Sequence, residues 1–139
     1  MSAENNKNHV FAFYQTVAQR EGDTPLPMAK YFSENAEWRL PRSSPMHGKL
    51  KGLEAIAGLF GGAVDDYYQP GSMQYDYHAV IADADFVVMQ FTLKAVTANG
   101  QDYENDYCLL YRFEDGLISE VREFFDTATL FAVQPPDYG

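Results

Sequence analysis

The strongest constraint on this chain is residues 103–126, YENDYCLLYRFEDGLISEVREFFD, in which two alternating runs flank Glu114-Asp115-Gly116-Leu117. Four such residues with Gly at the tip have the composition of a hairpin turn. A strand sends alternate side chains to opposite faces. Tyr103, Asn105, Tyr107, Leu109, Tyr111 and Phe113 therefore share one side of a sheet, and Glu104, Asp106, Cys108, Leu110 and Arg112 share the other. In the second run Leu117, Ser119, Val121, Glu123 and Phe125 form one face, with Ile118, Glu120, Arg122, Phe124 and Asp126 opposite. The aromatic, apolar side of this hairpin thus also carries Asn105 and Glu123. An amide and a carboxylate among Tyr, Phe and Val are costly to bury without partners. Either they satisfy one another, or they line a cavity that needs polar chemistry.

The remainder of the chain supplies helices and more strands. From Asn8, the residues Val10, Phe13, Tyr14, Val17 and Ala18 recur at three- and four-residue spacing, which predicts an amphipathic helix ending at Gly22-Asp23. One or two further turns of helix are expected around Met28–Phe32, then a short strand over 36–40. Residues 41–48 (PRSSPMHG) read as a loop, and a third helix follows Gly52 and runs to about Asp65-Asp66. Residues 73–82 and 86–98 alternate as strands around the turn Asp83-Ala84-Asp85, and Asn99-Gly100 is a strong hairpin signal. A short C-terminal helix is expected over 127–131, capped by Asp126 or Thr127. Helices segregated from four long hairpin-connected strands give an α+β fold in one domain, 1–139, with an ordered core of about 8–131. Such strands twist and curl around the helices, leaving a cavity between sheet and helices.

Composition narrows the partners. A net charge of −10 repels nucleic acid and anionic lipid. The one cysteine, Cys108, cannot form an internal disulfide and reads as a buried, inert thiol. No Cys/His spacing resembles a zinc site, no apolar run approaches the roughly 18 residues of a membrane helix, and the N-terminus lacks a signal-peptide core. A cytoplasmic protein without metal or cofactor is expected.

Two groups of motifs carry a family resemblance: Ala36-Glu37-Trp38 leading to Pro41, Gly48 and Gly52-Leu53-Glu54-Ala55-Ile56, and then YRFEDGLI (111–118) followed by Arg122-Glu123-Phe124-Phe125-Asp126-Thr127. Over residues 8–131 the chain resembles the SnoaL-like branch of the nuclear-transport-factor-2-like (NTF2-like) superfamily, with its polyketide cyclases, ketosteroid isomerases and limonene epoxide hydrolases. The resemblance implies a cone-shaped, curved antiparallel sheet wrapped around N-terminal helices, a deep apolar pocket, and a homodimer formed through the outer face of the sheet. The two fuller catalytic sets are incomplete here. Leu40 or Arg39 stands where the isomerases place their base, and Leu109 where they place a protonated Asp. Gln90 and Thr92 stand where the epoxide hydrolases place an Arg and a second Asp. Glu123 matches the hydrolases' last-strand Asp, and SnoaL-type cyclases need only a single such carboxylate.

Glu123 is therefore the leading acid/base candidate, because a carboxyl in an apolar cavity has a raised pKa and exchanges protons near neutrality. Its alternative is pairing with an Arg. Asn105 and Tyr107 share its face, to orient it or hold a substrate oxygen; their alternative is an internal network. Tyr14, Trp38, Val121 and Phe125 are assigned to the pocket wall, with plain core as the alternative for Tyr14 and Trp38 and an oxyanion contact as a further role for Tyr14; Gln90 is assigned to the same site by resemblance, and His47 to the loop at its mouth. His78 belongs on the outer face. The expected function is cofactor-free acid/base chemistry on a hydrophobic small molecule: isomerisation, cyclisation, dehydration or epoxide opening. The rivals are a binding protein without chemistry, and a structural dimer whose cavity is filled.

Overall fold

A computed structural model describes residues 2–22, 24–44, 49–60 and 67–133. The helix α1 (Ala3–Ala18) begins five residues earlier than its apolar stripe predicts. Ser2 accepts a hydrogen bond from the Asn5 N–H at 3.1 Å and so caps it, and Glu4 in the first turn suits the positive end of the helix dipole. Val10 and Phe13 bury its inner stripe. A single turn, α2 (Met28–Tyr31), leads directly into β1 (Phe32–Arg39), longer than the five residues expected. The three-residue strand β2 (Lys49–Lys51) precedes α3 (Leu53–Gly58) and was not legible in the sequence. Three hairpins then connect β3 (Gln74–Asp83), β4 (Phe86–Val96), β5 (Asp102–Glu114) and β6 (Leu117–Phe125), and α4 (Thr127–Val133) closes the described chain.

The six strands form one sheet in the order β2-β1-β6-β5-β4-β3. All neighbours are antiparallel except β1 and β6, which run parallel, so the sheet is mixed rather than purely antiparallel. At the organising hairpin, Asp115 (φ 53°) and Gly116 (φ 80°) both take positive φ, the requirement of the two-residue turn whose twist matches its strands. The expected alternation holds along the whole of β5. Tyr103, Asn105, Tyr107, Leu109, Tyr111 and Phe113 are all buried, and every residue between them is exposed or half-buried. Cys108 accordingly lies half-buried on the outer face rather than in the core.

In β6 the alternation breaks. The register slips between Arg112 and Phe113, where Phe113 faces Ile118 but Arg112 faces Glu120. The extra residue turns Ile118 inward, to full burial, instead of outward with Glu120 and Arg122. Similar irregularities interrupt β1 between Phe32 and Glu37 and β3 between Tyr77 and Ala79. Bulges of this kind bend a sheet and sharpen its twist, and here the concave side holds α1, whose Phe13 packs edge-on against Phe32 and Phe60 at 4.9 and 5.1 Å.

Candidate functional site

Between the concave face and the helices lies a cavity of about 130 Å³, walled mainly by aromatic and aliphatic side chains. Glu123 stands in that wall. On β6 it follows Val121, and Val121 pairs with Trp38 across the parallel β1–β6 junction. The indole therefore reaches the next inward position, and Trp38 Nε1 donates to Glu123 Oε1 at 2.9 Å. Trp38 itself is only 2% exposed. Glu123 keeps some accessible surface, and it lines the cavity. Desolvation thus dominates its ionisation and lifts its pKa from 4.5 to about 7, against the opposing pull of the Trp38 hydrogen bond.

No ion pair engages Glu123 among the described residues. Its sequence neighbour Arg122 lies on the other face, where Glu120 is approached by Arg39, Arg122 and Arg112 at 3.2, 3.5 and 3.9 Å. These pairs are solvent-accessible and contribute little each. Their effect is to keep the guanidinium groups away from the cavity.

Tyr14 lines the cavity from α1, and its hydroxyl meets that of Tyr111 in a short hydrogen bond. Burial raises the pKa of both well above the ordinary tyrosine value, so both stay protonated. Tyr111 is a site residue that sequence reasoning missed. Its inward parity on β5 was visible, but nothing in the sequence pairs it with a helix residue 97 positions away.

Asn105 and Tyr107 behave differently from one another. Tyr107 is in the wall, stacked on Phe91 at 5.2 Å and close to Phe125 at 5.0 Å. Asn105, 4% exposed, lies outside the cavity lining. Its Nδ2 donates to the Tyr103 hydroxyl at 2.7 Å and to the Asp126 carbonyl at 2.9 Å, while its Oδ1 accepts from the Asp106 N–H at 2.8 Å. The Tyr103 and Tyr107 hydroxyls hydrogen-bond to one another at 2.7 Å. This is the internal network rather than a substrate hook. It fixes the β6–α4 junction, where Asp126 caps α4 by accepting from the Ala128 and Thr129 N–H groups, and α4 supplies Leu130 to the wall.

Of the other expected site residues, Phe125 and Trp38 line the cavity. Val121 is fully buried beside it, as core between Trp38 and Tyr111. Gln90 is exposed on the outer face, opposite Cys108, and has no place in the site. The spacing that suggested it follows relatives, whereas strand parity sends it outward. His47 lies outside the described residues. His78 is on the outer face as expected, its Nε2 2.7 Å from the Thr92 hydroxyl, which donates to Asp106 at 2.6 Å. No group of three or more His, Cys, Asp or Glu converges as metal ligands would, and no helix is long and apolar enough to cross a membrane, among the described residues.

A bent sheet packed over helices around an apolar cavity, with one carboxylate among the described lining residues, defines an α+β protein of NTF2-like type. Residues 10–121 match the SnoaL-like domain, and the chain belongs to that family. No curated protein matches it in sequence. An NTF2-like protein from Burkholderia xenovorans LB400 superposes with a TM-score of 0.81 at 20% identity, over 97% of this chain and 99% of that one. Bal32a, from a soil-derived mobile gene cassette, gives 0.79 at 26% identity over 96% and 98%. A protein described as a SnoaL-like polyketide cyclase, from Jannaschia sp. CCS1, gives 0.78 at 16% identity over 96% and 95%. Likeness at such low identity speaks for the fold, not the reaction.

Proposed function

We propose that this SnoaL-like protein is a cofactor-free acid/base catalyst in which Glu123 exchanges a proton with a small, largely apolar molecule held in the cavity. The observation that carries the reading is a carboxyl in an aromatic wall, hydrogen-bonded to Trp38 and titrating at about 7. At neutral pH such a group populates both forms, the condition for efficient general acid/base transfer. Trp38 fixes Oε1, and no described residue hydrogen-bonds Oε2, which is left for the substrate. Tyr111 donating to Tyr14 leaves the Tyr14 proton to stabilise a developing oxyanion. Isomerisation, cyclisation, dehydration and epoxide opening all fit one carboxyl and one hydroxyl donor. Tyr107 shapes the wall, and Asn105 supports it from behind.

The test is turnover of small apolar enones, hydroxyketones and epoxides by wild type and Glu123→Gln. Glu123→Gln is expected to fold and to lose at least about a hundredfold in kcat, the usual weight of a general acid/base. The wild-type pH–rate profile should show an apparent pKa of about 7. Undiminished turnover in the folded variant refutes the role. A binding protein without chemistry is the second reading, favoured by the self-contained Tyr103–Asn105–Tyr107 network, which leaves Glu123 as the sole carboxyl among the described lining residues. The family likeness also supports a homodimer through the outer sheet face, where Phe124 and Ile81 are 55% and 62% exposed. Light scattering on the purified chain checks it, and a monomer at micromolar concentration rules it out.

A further inference from the structure

We infer that the ligand of this cavity is a compact organic cation, an ammonium group held between the Glu123 carboxylate and the surrounding aromatic rings. This rests on the reading of Glu123 above only in placing that side chain at the ligand, and it names the ligand's class. Nine of the seventeen described residues lining the cavity are aromatic, and Glu123 is the one carboxylate among them. Aromatic faces carry negative potential and attract cations, most strongly where water is excluded. None of the described lining residues is Lys, Arg or His, so the described wall brings no counter-charge to that carboxylate. A buried carboxylate without a partner is costly, and a ligand that brings the positive charge removes the cost.

Among the described residues, the groups facing Glu123 from the packed elements are uncharged. They are Tyr14 from α1, Trp38 from β1, Tyr75 from β3, and Tyr107 and Tyr111 from β5, with Tyr68 from the segment before β3. Burial holds each of these phenols in its protonated form, Tyr75 at about 12 and the others also raised. β4 adds Phe91 and Leu93. The net charge of −10 enriches cations around the molecule and repels anionic ligands. Size is consistent with a compact group, because a cavity of about 130 Å³ is near the roughly 150 Å³ that holds one benzene ring. A trimethylammonium group or one ring matches that volume.

The chain has one tryptophan, Trp38, and its indole touches Glu123. Its fluorescence therefore reports both ligand entry and carboxyl ionisation. The experiment titrates wild type with choline and with choline's uncharged analogue, in which a tert-butyl group replaces trimethylammonium, at pH 6, 7 and 8. A cation binds the ionised carboxylate, so with a pKa of about 7 its affinity should rise about tenfold from pH 6 to pH 8. The analogue should bind more weakly than choline at pH 8, and folded Glu123→Gln should lose both the preference and the slope. Equal affinities, an affinity for choline that falls with pH, or no binding of choline or tetramethylammonium at any pH overturns the inference. Tighter binding of the analogue at low pH likewise overturns it, while leaving Glu123 as a proton donor to neutral substrates. Choline binding with the expected slope sustains the inference even if no substrate turns over, the result that would defeat the catalytic reading instead.

Discussion

Glu123 should make this protein less stable as the pH rises through neutrality, and the size of the effect follows from its surroundings. In the unfolded chain the carboxyl titrates near 4.5; in the folded chain, near 7. The folded state therefore binds the extra proton, and linkage makes stability fall with pH across the interval between the two values. At about 1.4 kcal/mol per pKa unit the full gap is about 3 kcal/mol. About 2.5 kcal/mol of this is lost between pH 5 and pH 8, since the unfolded carboxyl is already partly ionised at pH 5. Other groups titrate in the same window, the three histidines among them, so the comparison needs Glu123→Gln, which keeps an oxygen for Trp38 Nε1 but cannot ionise. Urea unfolding of both proteins at pH 5 and pH 8 gives the difference of differences. Wild type should lose about 2.5 kcal/mol more than the variant. Parallel pH dependences would mean that Glu123 is solvated like a surface glutamate, and the argument from its enclosure would fail.

Ile118→Ala should cost about 2–4 kcal/mol in urea unfolding, as for a buried aliphatic residue, because the β6 slip places Ile118 at full burial. A loss under about 0.5 kcal/mol would return it to the outer face. Tyr111→Phe removes the partner of the Tyr14 hydroxyl and should cost about 1–3 kcal/mol as a lost buried hydrogen bond. The Tyr14→Phe/Tyr111→Phe double variant should cost less than the sum of the singles, and strict additivity would mean the two hydroxyls do not interact. Trp38→Phe removes the one hydrogen bond that lowers the Glu123 pKa. The carboxyl should then titrate above 7 by carbon-detected NMR, and an unchanged or lower midpoint would contradict the assignment.

Much of this protein was legible before any coordinates. Asn99-Gly100 and Asp115-Gly116 mark two hairpins because Gly100, Asp115 and Gly116 take a positive φ that few other residues accept. Strand parity buries the odd positions of β5 without exception, and it puts Glu123 beside Phe125 in the cavity wall. Local side-chain chemistry narrows the helix cap to Asp126 or Thr127, and the structure gives it to Asp126. These are local rules, each satisfied within a few residues of chain.

What the tertiary structure decided lies at longer range. The parallel pairing of β1 with β6 joins residues about 85 positions apart and gives Glu123 its indole partner. The contact of α1 with β5 gives Tyr14 its Tyr111. The slips in β1, β3 and β6 shift the parity count partway along a strand, which is why Ile118 points inward against its alternation. Asn105 shares a face with Glu123 by parity yet is used up by Tyr103 and the Asp126 carbonyl, partners that only the folded corner brings within reach. Alternation fixes the side of the sheet on which a polar group sits; which neighbour meets it there depends on register and curvature, set by packing of the whole sheet against its helices.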